Sequence, residues 1–220
     1  MPVFNEAKTL HTYLRQLHLS ENEELIVVDG GSSDNTVAVA REFTEKVYTT
    51  RTGRASVMNY GAKKAEGDIL LFLHADCILP AEGLIVIRKT LSEMGVAAGA
   101  FFLGINHENP VFRIIEWMAN ARSRVTKFLY GDQGMFLRKE VFDRIGGFAD
   151  VPLMEDLEIS KRLMKEGEIV FVHPQILASP RRWLNEGILY TTLRDWTIAF
   201  SYTFLRVSPD RLIRYYRSIR

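Results

Sequence analysis

The chain has 220 residues, 47 % hydrophobic and 25 % charged, with 28 basic side chains against 27 acidic and one cysteine. That length suits one domain with at most an appendage, and the composition excludes a disordered or collagen-like chain. A net charge of +1 argues against nucleic acid as a partner, and a single cysteine allows neither an internal disulfide nor a cysteine-based zinc site.

Met1-Pro2 leads directly into a polar Asn5-Glu6 turn, and no strand is expected ahead of that turn. Glu6 and Lys8 interrupt any apolar start, so no signal peptide is expected. Leu10, Tyr13, Leu14 and Leu17 recur at helical spacing, which predicts an amphipathic helix over Glu6 to Leu19. The apolar run Leu25 to Val28, closed by Asp29-Gly30-Gly31, reads as a buried strand entering a turn. Ser33 or Asp34 caps a helix over Thr36 to Phe43, and Val47-Tyr48 is a weak strand. Ala55, Met58, Asn59 and Ala62 return to helical spacing, and Ile69 to Leu73 is the strongest strand, ending at His74-Ala75-Asp76. A helix over Gly83 to Glu93 and a strand over Ala97 to Leu103 follow. This alternation argues for an α/β fold, a parallel sheet flanked by helices on both faces. The second half loses the alternation. It reads as a helix over Pro110 to Lys127, a strand over Met135 to Leu137, a helical turn from Val141 to Ile145, a charged helix over Glu155 to Glu166 and a strand over Ile169 to Val172. From Leu184 onward the chain reads as helices broken at Ser208-Pro209.

In parallel sheets ligands bind at the carboxyl ends of the strands, where Asp29 and Asp76 both fall. Each alone serves equally well as a turn former or helix cap. Carboxylates gathered at one site need a cation, and a divalent metal bridging to a diphosphate supplies it. Asp29, Asp76 and the pair Glu155-Asp156 therefore suit a nucleotide-diphosphate substrate, although acids at a helix start also favour the helix dipole. Neither G-x-x-x-x-G-K-[ST] nor a post-strand G-x-G-x-x-G occurs, which disfavours a P-loop enzyme and a dinucleotide dehydrogenase.

Taken in order, these segments resemble the family 2 glycosyltransferases of the GT-A fold. The resemblance runs through Pro2 to Glu6, Val28 to Thr36, Gly53-Arg54-Ala55, Asn59 to Ala62, Ala65 to Asp68, Leu73 to Asp76, Gly131 to Gly134, Gly146-Gly147-Phe148 and Met154-Glu155-Asp156. His74-Ala75-Asp76, Gly131 to Gly134 and Arg181-Arg182-Trp183 look most like a prokaryotic subgroup associated with radical-SAM and selenium-domain genes. The resemblance implies a GT-A domain over residues 1–183, short of its first strand, with a basic helical extension over 184–220. It implies an inverting transfer from a nucleotide-diphosphate sugar, a UDP-sugar, to an acceptor that is a sugar, a lipid-linked molecule or a small molecule. Asp156 would be the general base beside Glu155, and Asp76 would hold Mn²⁺ or Mg²⁺. Glu6, Asp29, Arg54, His74, Asp132, Gln133, Arg181 and Arg182 would bind the donor. His74 stands where the family's first metal-binding acid is expected, so ribose contact, metal contact and plain packing all stay open for it. A nucleotide-sugar-binding protein without catalysis and a nucleotidyltransferase are the alternative functions.

From Arg181 to Arg220 eight arginines face three acids, a charge of +5, which leaves −4 on the preceding residues. This tail reads as a solvated face, as a cover for the acidic body, or as a surface lying on anionic lipid. In the last case Trp196, Phe200, Tyr202 and Phe204 form the apolar side and Arg211, Arg214 and Arg217 the charged side. The expected location is the cytoplasm, peripheral to the inner face of the cell membrane. Its longest uncharged stretch, Trp196 to Leu205, has ten residues, against about 20 for a spanning helix.

Overall fold

The computed structural model describes residues 1–50 and 53–216. Three short strands, β1 (Pro2–Val3), β2 (Val27–Asp29) and β3 (Val47–Thr49), form a parallel sheet with β2 central. Periodicity does not reveal β1, because two residues show no alternation; its register against Val28 and Asp29 does. The connecting helices are α1 (Ala7–Leu14), α2 (Thr36–Ala40) and α3 (Arg54–Lys64). Helices α1 and α2 end earlier than their apolar spacing predicts. The N–H groups of Gln16, Leu17, Glu42 and Phe43 bond three residues back, so each helix finishes in a tightened turn.

A second sheet holds β4 (Ile69–Phe72), β5 (Cys77–Ile78), β6 (Val96–Ile105), β7 (Met135–Arg138) and β8 (Glu168–Ala178) in the order β4-β7-β6-β8-β5. The long β6–β8 pair is parallel, and with the first sheet it makes parallel pairing the larger part of the fold. Strand β7 runs antiparallel to both β4 and β6. Strand β8 continues well past the expected end at Val172. Pro174 has no N–H to give the ladder, and the register shifts there, from Val172 opposite Phe101 to Ile176 opposite Leu103.

Alternation along β7 sends Met135 and Leu137 to one face and Phe136 to the other. The first face packs on α3, α6 (Lys139–Arg144) and α7 (Glu155–Leu163). The second packs on α4 (Gly83–Ser92) and α5 (Pro110–Thr126). Gly99 on β6 leaves room for the ring of its cross-strand partner Phe136, which a Cβ there would strike. The chain then forms α8 (Arg181–Glu186), α9 (Ile188–Thr203) and α10 (Pro209–Leu212). Ile198 and Leu212 pack on Leu153, so the tail is seated just before α7. Among the described residues no helix is long and apolar enough to cross a membrane.

Candidate active site

The Asn5-Glu6 turn is built by side chains of the loop after β2. Ser32 Oγ accepts from Asn5 N at 2.8 Å, Thr36 Oγ1 accepts from Glu6 N at 2.8 Å, and Asn5 Oδ1 accepts from Ser33 N at 2.9 Å. Asp29 organises the same loop. Its Oδ2 accepts from Gly31 N and Ser32 N, both at 2.9 Å, and its Oδ1 accepts from Ser32 Oγ. With Asp29 only 1 % exposed, these bonds are the turn-former role that sequence reasoning held open beside base binding.

Glu6 is buried and faces a cation from the far end of the chain. Arg181 donates to both carboxylate oxygens, Nη1 to Oε2 at 2.8 Å and Nη2 to Oε1 at 2.9 Å, a two-toothed fork. The same Nη2 lies 3.5 Å from Asp76 Oδ2. Asp76 sits four residues beyond β4, where burial and then the negative charge of Glu6 raise its pKa above the usual carboxylate range. The ligand atoms of His74, Asp76 and Cys77 lie within 4.8 Å of one another. Of these, the Asp76 carboxylate is the group that suits Mn²⁺ or Mg²⁺, whereas a protonated thiol does not. Cys77 is buried in β5, its Sγ 3.7 Å from the Asp132 carbonyl, and burial pushes its thiol pKa well up.

Asp156 lies in the first turn of α7. Met154 sets that turn with φ of 67°, and Ser160 fixes it by donating to the Asp156 carbonyl at 2.6 Å while accepting from Leu129 N. The Asp156 carboxylate accepts from Gly131 N at 3.0 Å and from Leu157 N at 2.8 Å. Burial, and then the negative charge of Glu155, push its pKa up to about 7 despite those donors and nearby Arg54. Such a carboxyl exchanges its proton near neutral pH. Glu155 is itself paired with Arg54, Nε to Oε1 at 3.1 Å, and Arg54 Nη2 also meets His74 Nε2. Gly131 is needed here for close approach, because a Cβ would lie 2.5 Å from Arg54 Nη2 and 2.7 Å from His74 Nε2. Burial raises the pKa of Asp132, partly offset by Arg122 and Arg54.

The structure thus joins two groups: Glu6, Asp76 and Arg181, and Arg54, His74, Glu155 and the Gly131 to Asp156 contact. Two expected donor contacts point elsewhere. Gln133 is 1 % exposed, and its amide oxygen accepts from Tyr130 N and Ser123 Oγ, both at 3.2 Å. Arg182 turns to the tail, donating to the Tyr216 hydroxyl at 2.7 Å and lying 3.6 Å from Asp195. Sequence reasoning missed Arg122, whose guanidinium lies 3.8 Å over the Tyr130 ring and 5.0 Å from that of Trp196. It is an arginine on an otherwise ordinary helix, without a motif. Asn59 also gains a structural role, since its amide holds both backbone groups of Phe148 at 2.8 Å and so fixes the Gly146-Gly147-Phe148 segment.

The family model described as glycosyl transferase family 2 matches residues 1–149. The chain is 22 % identical to the dolichyl N-acetyl-alpha-D-glucosaminyl phosphate 3-beta-D-2,3-diacetamido-2,3-dideoxy-beta-D-glucuronosyltransferase of Methanococcus voltae, over 94 % of this chain and 79 % of that one. Its fold matches the mannosyltransferase PcManGT of Pyrobaculum calidifontis, solved with GDP-Man and Mn²⁺, at a TM-score of 0.65 and 20 % identity, covering 99 % of this chain and 64 % of that one. It also matches S. aureus TarS 1-349 in complex with UDP-GlcNAc at a TM-score of 0.65 and 16 % identity, covering 97 % of this chain and 68 % of that one. The chain spans 41 % of a longer TarS chain. At these identities the two solved proteins establish the fold alone, which is GT-A as the sequence leads one to expect.

Proposed function

Starting from a chain that belongs to glycosyl transferase family 2, we propose that it is an inverting enzyme moving a sugar from a UDP-sugar to a hydroxyl of a lipid-linked acceptor. The observation that carries this reading is the half-buried carboxyl of Asp156 at the start of α7, held by Gly131 N and close to Arg54. Asp156 takes the acceptor hydroxyl proton as that oxygen bonds to the anomeric carbon; the bond from that carbon to the diphosphate oxygen breaks, and the nucleoside diphosphate leaves with the electron pair. One displacement inverts the anomeric centre and needs no enzyme nucleophile.

Glu155 stays paired with Arg54 and keeps that guanidinium beside His74, on the donor side. Arg181, already seated on Glu6 and Asp76, turns its fork to the diphosphate. Asp29 and Glu6 shape the nucleoside side, Asp132 the sugar side, while Gln133 holds the Tyr130 turn from behind and Arg182 braces the tail. Asp76 would hold Mn²⁺ or Mg²⁺, with His74 beside it, and the cation would supply neutralisation of the charge on the departing diphosphate.

The lipid-linked acceptor is supported by the dolichyl phosphate in the name of the M. voltae relative. The same reading places the protein in the cytoplasm, peripheral to the membrane, with residues 184–220 as a basic extension of the domain. Three short segments, His74 to Asp76, Gly131 to Gly134 and Arg181 to Trp183, support assignment to the radical-SAM-associated subgroup. The test is transfer from UDP-sugars with the Asp156→Asn variant. Loss of transfer with retained nucleotide binding is expected, and transfer at the wild-type rate would refute the mechanism.

A further inference from the structure

Helix α5 meets α8 through the Phe112–Trp183 ring contact and meets α9, the next helix, through Arg122 against Trp196. Helices α5 and α9 each bury one side and leave an apolar side uncovered. On α5, Ile114, Trp117 and Val125 are 60 %, 71 % and 84 % exposed. On α9, Leu189, Leu193 and Phe200, continued by Phe204, fall on one helical face and are all more than half exposed. Exposed apolar patches on a soluble monomer are ordinarily no more than roughly 300–600 Å², so seven large apolar side chains on two adjoining helices call for a partner.

The charges around them indicate its chemistry. Arg113 and Arg124 are exposed on α5, and Arg206, Arg211 and Arg214 are exposed beyond α9. The carboxylates of these two helices are withdrawn: Glu116 is buried under Arg113, and Asp195 is paired with Arg194 and Arg182. Five exposed arginines among these apolar side chains, against the exposed Glu108 ahead of α5 and Asp210 in the tail, give the face a net positive charge that matches an anionic interface. Just past Phe204, Lys161 and Arg206 line a cleft of about 430 Å³ between α7 and the tail. Lys161 lies five residues beyond Asp156 on α7, about 7.5 Å along the helix axis. The charged, apolar surface therefore reaches the catalytic helix itself.

We infer that the α5–α9 face docks on an anionic lipid bilayer. This deepens the membrane contact proposed above and rests on that reading, but it relocates the contact. Trp196 and Tyr202, expected on the apolar side, are half-buried against Arg122 and Lys161, and α5 supplies much of the surface instead. Arg217 lies outside the described residues.

The test is co-sedimentation of the full chain with phosphatidylcholine vesicles, with and without phosphatidylglycerol. The wild-type protein is expected to pellet with the anionic vesicles and to be released by salt. The Trp117→Glu/Phe200→Glu double variant, both positions exposed, is expected to lose about tenfold or more in partitioning while keeping its melting temperature. The Arg124→Glu/Arg211→Glu variant is expected to lose the salt-sensitive part. Wild-type protein that stays in solution with both vesicle types overturns the inference. So does a Trp117→Glu/Phe200→Glu variant that binds like wild type, or one that turns a dimer into a monomer in light scattering, which would make the partner a second copy. A thermal-shift measurement with UDP, the part common to every UDP-sugar donor, reads donor binding separately. Lost vesicle binding with an intact donor shift sinks this inference alone, and vesicle binding without any donor shift sinks the proposed function.

Discussion

Asparagine at position 156 removes the carboxylate but keeps the shape of the side chain. In the folded protein burial and Glu155 hold the Asp156 pKa at about 7, against about 3.9 for an unperturbed aspartate. Between those values the folded state binds a proton that the unfolded state has released, so stability falls as pH rises through the window and is flat above it. A gap of about three pH units corresponds to at most about 4 kcal/mol lost by pH 8. Asparagine is neutral like the protonated acid, so it escapes that cost, and like the protonated acid it turns a donor toward Gly131 N or Leu157 N. Asp156→Asn is therefore expected to be more stable than the wild type at pH 8 and close to it at pH 4, with transfer lowered about 10²–10⁴-fold. Urea unfolding at the two pH values checks the first pair, and the pH–rate profile of the wild type, rising with a midpoint near 7, checks the assignment of the base. Equal destabilisation at both pH values, or a rate midpoint near 4, would refute the reasoning.

Arg181→Ala leaves the Glu6 carboxylate buried without its fork and should cost about 3 kcal/mol in urea unfolding. Arg181→Lys should restore part of the stability but not donor affinity, because one ammonium cannot span two oxygens. Adding Mn²⁺ should enlarge the thermal shift produced by a UDP-sugar in the wild type; Asp76→Ala should abolish the enlargement, and a metal-independent shift in both proteins would remove the metal from the site. Gly131→Ala pushes a methyl group against Arg54 and His74, side-chain ends that can yield. It should cost only about 1–2 kcal/mol in stability. Transfer should fall about tenfold as Arg54 leaves Glu155, and an unchanged rate would separate that pair from catalysis.

Arg181 connects these predictions. It holds Glu6 and Asp76 together, two carboxylates that would otherwise repel. A diphosphate with its metal would bring both an anion for the arginine and a cation for Asp76. Two carboxylates against one guanidinium leave a net negative charge there, which a cation arriving with the donor would offset.

The local alphabet of this protein is legible in its sequence because it depends on neighbours a few residues apart. The alternation of the first hundred residues, the strand over Ile69 to Phe72, the helix opening at Glu155 and the placing of Asp29 and Asp76 at strand ends all follow from period and turn chemistry. Strand direction and extent do not. Antiparallel β7 is defined by β4 and β6, and β8 passes Pro174 because its partner shifts register there. The same holds for the site. Aspartate at position 156 is visible as an acid at a helix start, but its pKa comes from burial beside Glu155 and from Gly131, 25 residues away. The fork between Arg181 and Glu6 joins residues 175 apart. No periodicity records that pairing, because burial and charge compensation depend on where the folded chain brings side chains together. The uncovered face of α5 shows the same limit from the other side: its apolar residues look like core in the sequence, and only the packing of α5 on β6 shows which of them were left outside.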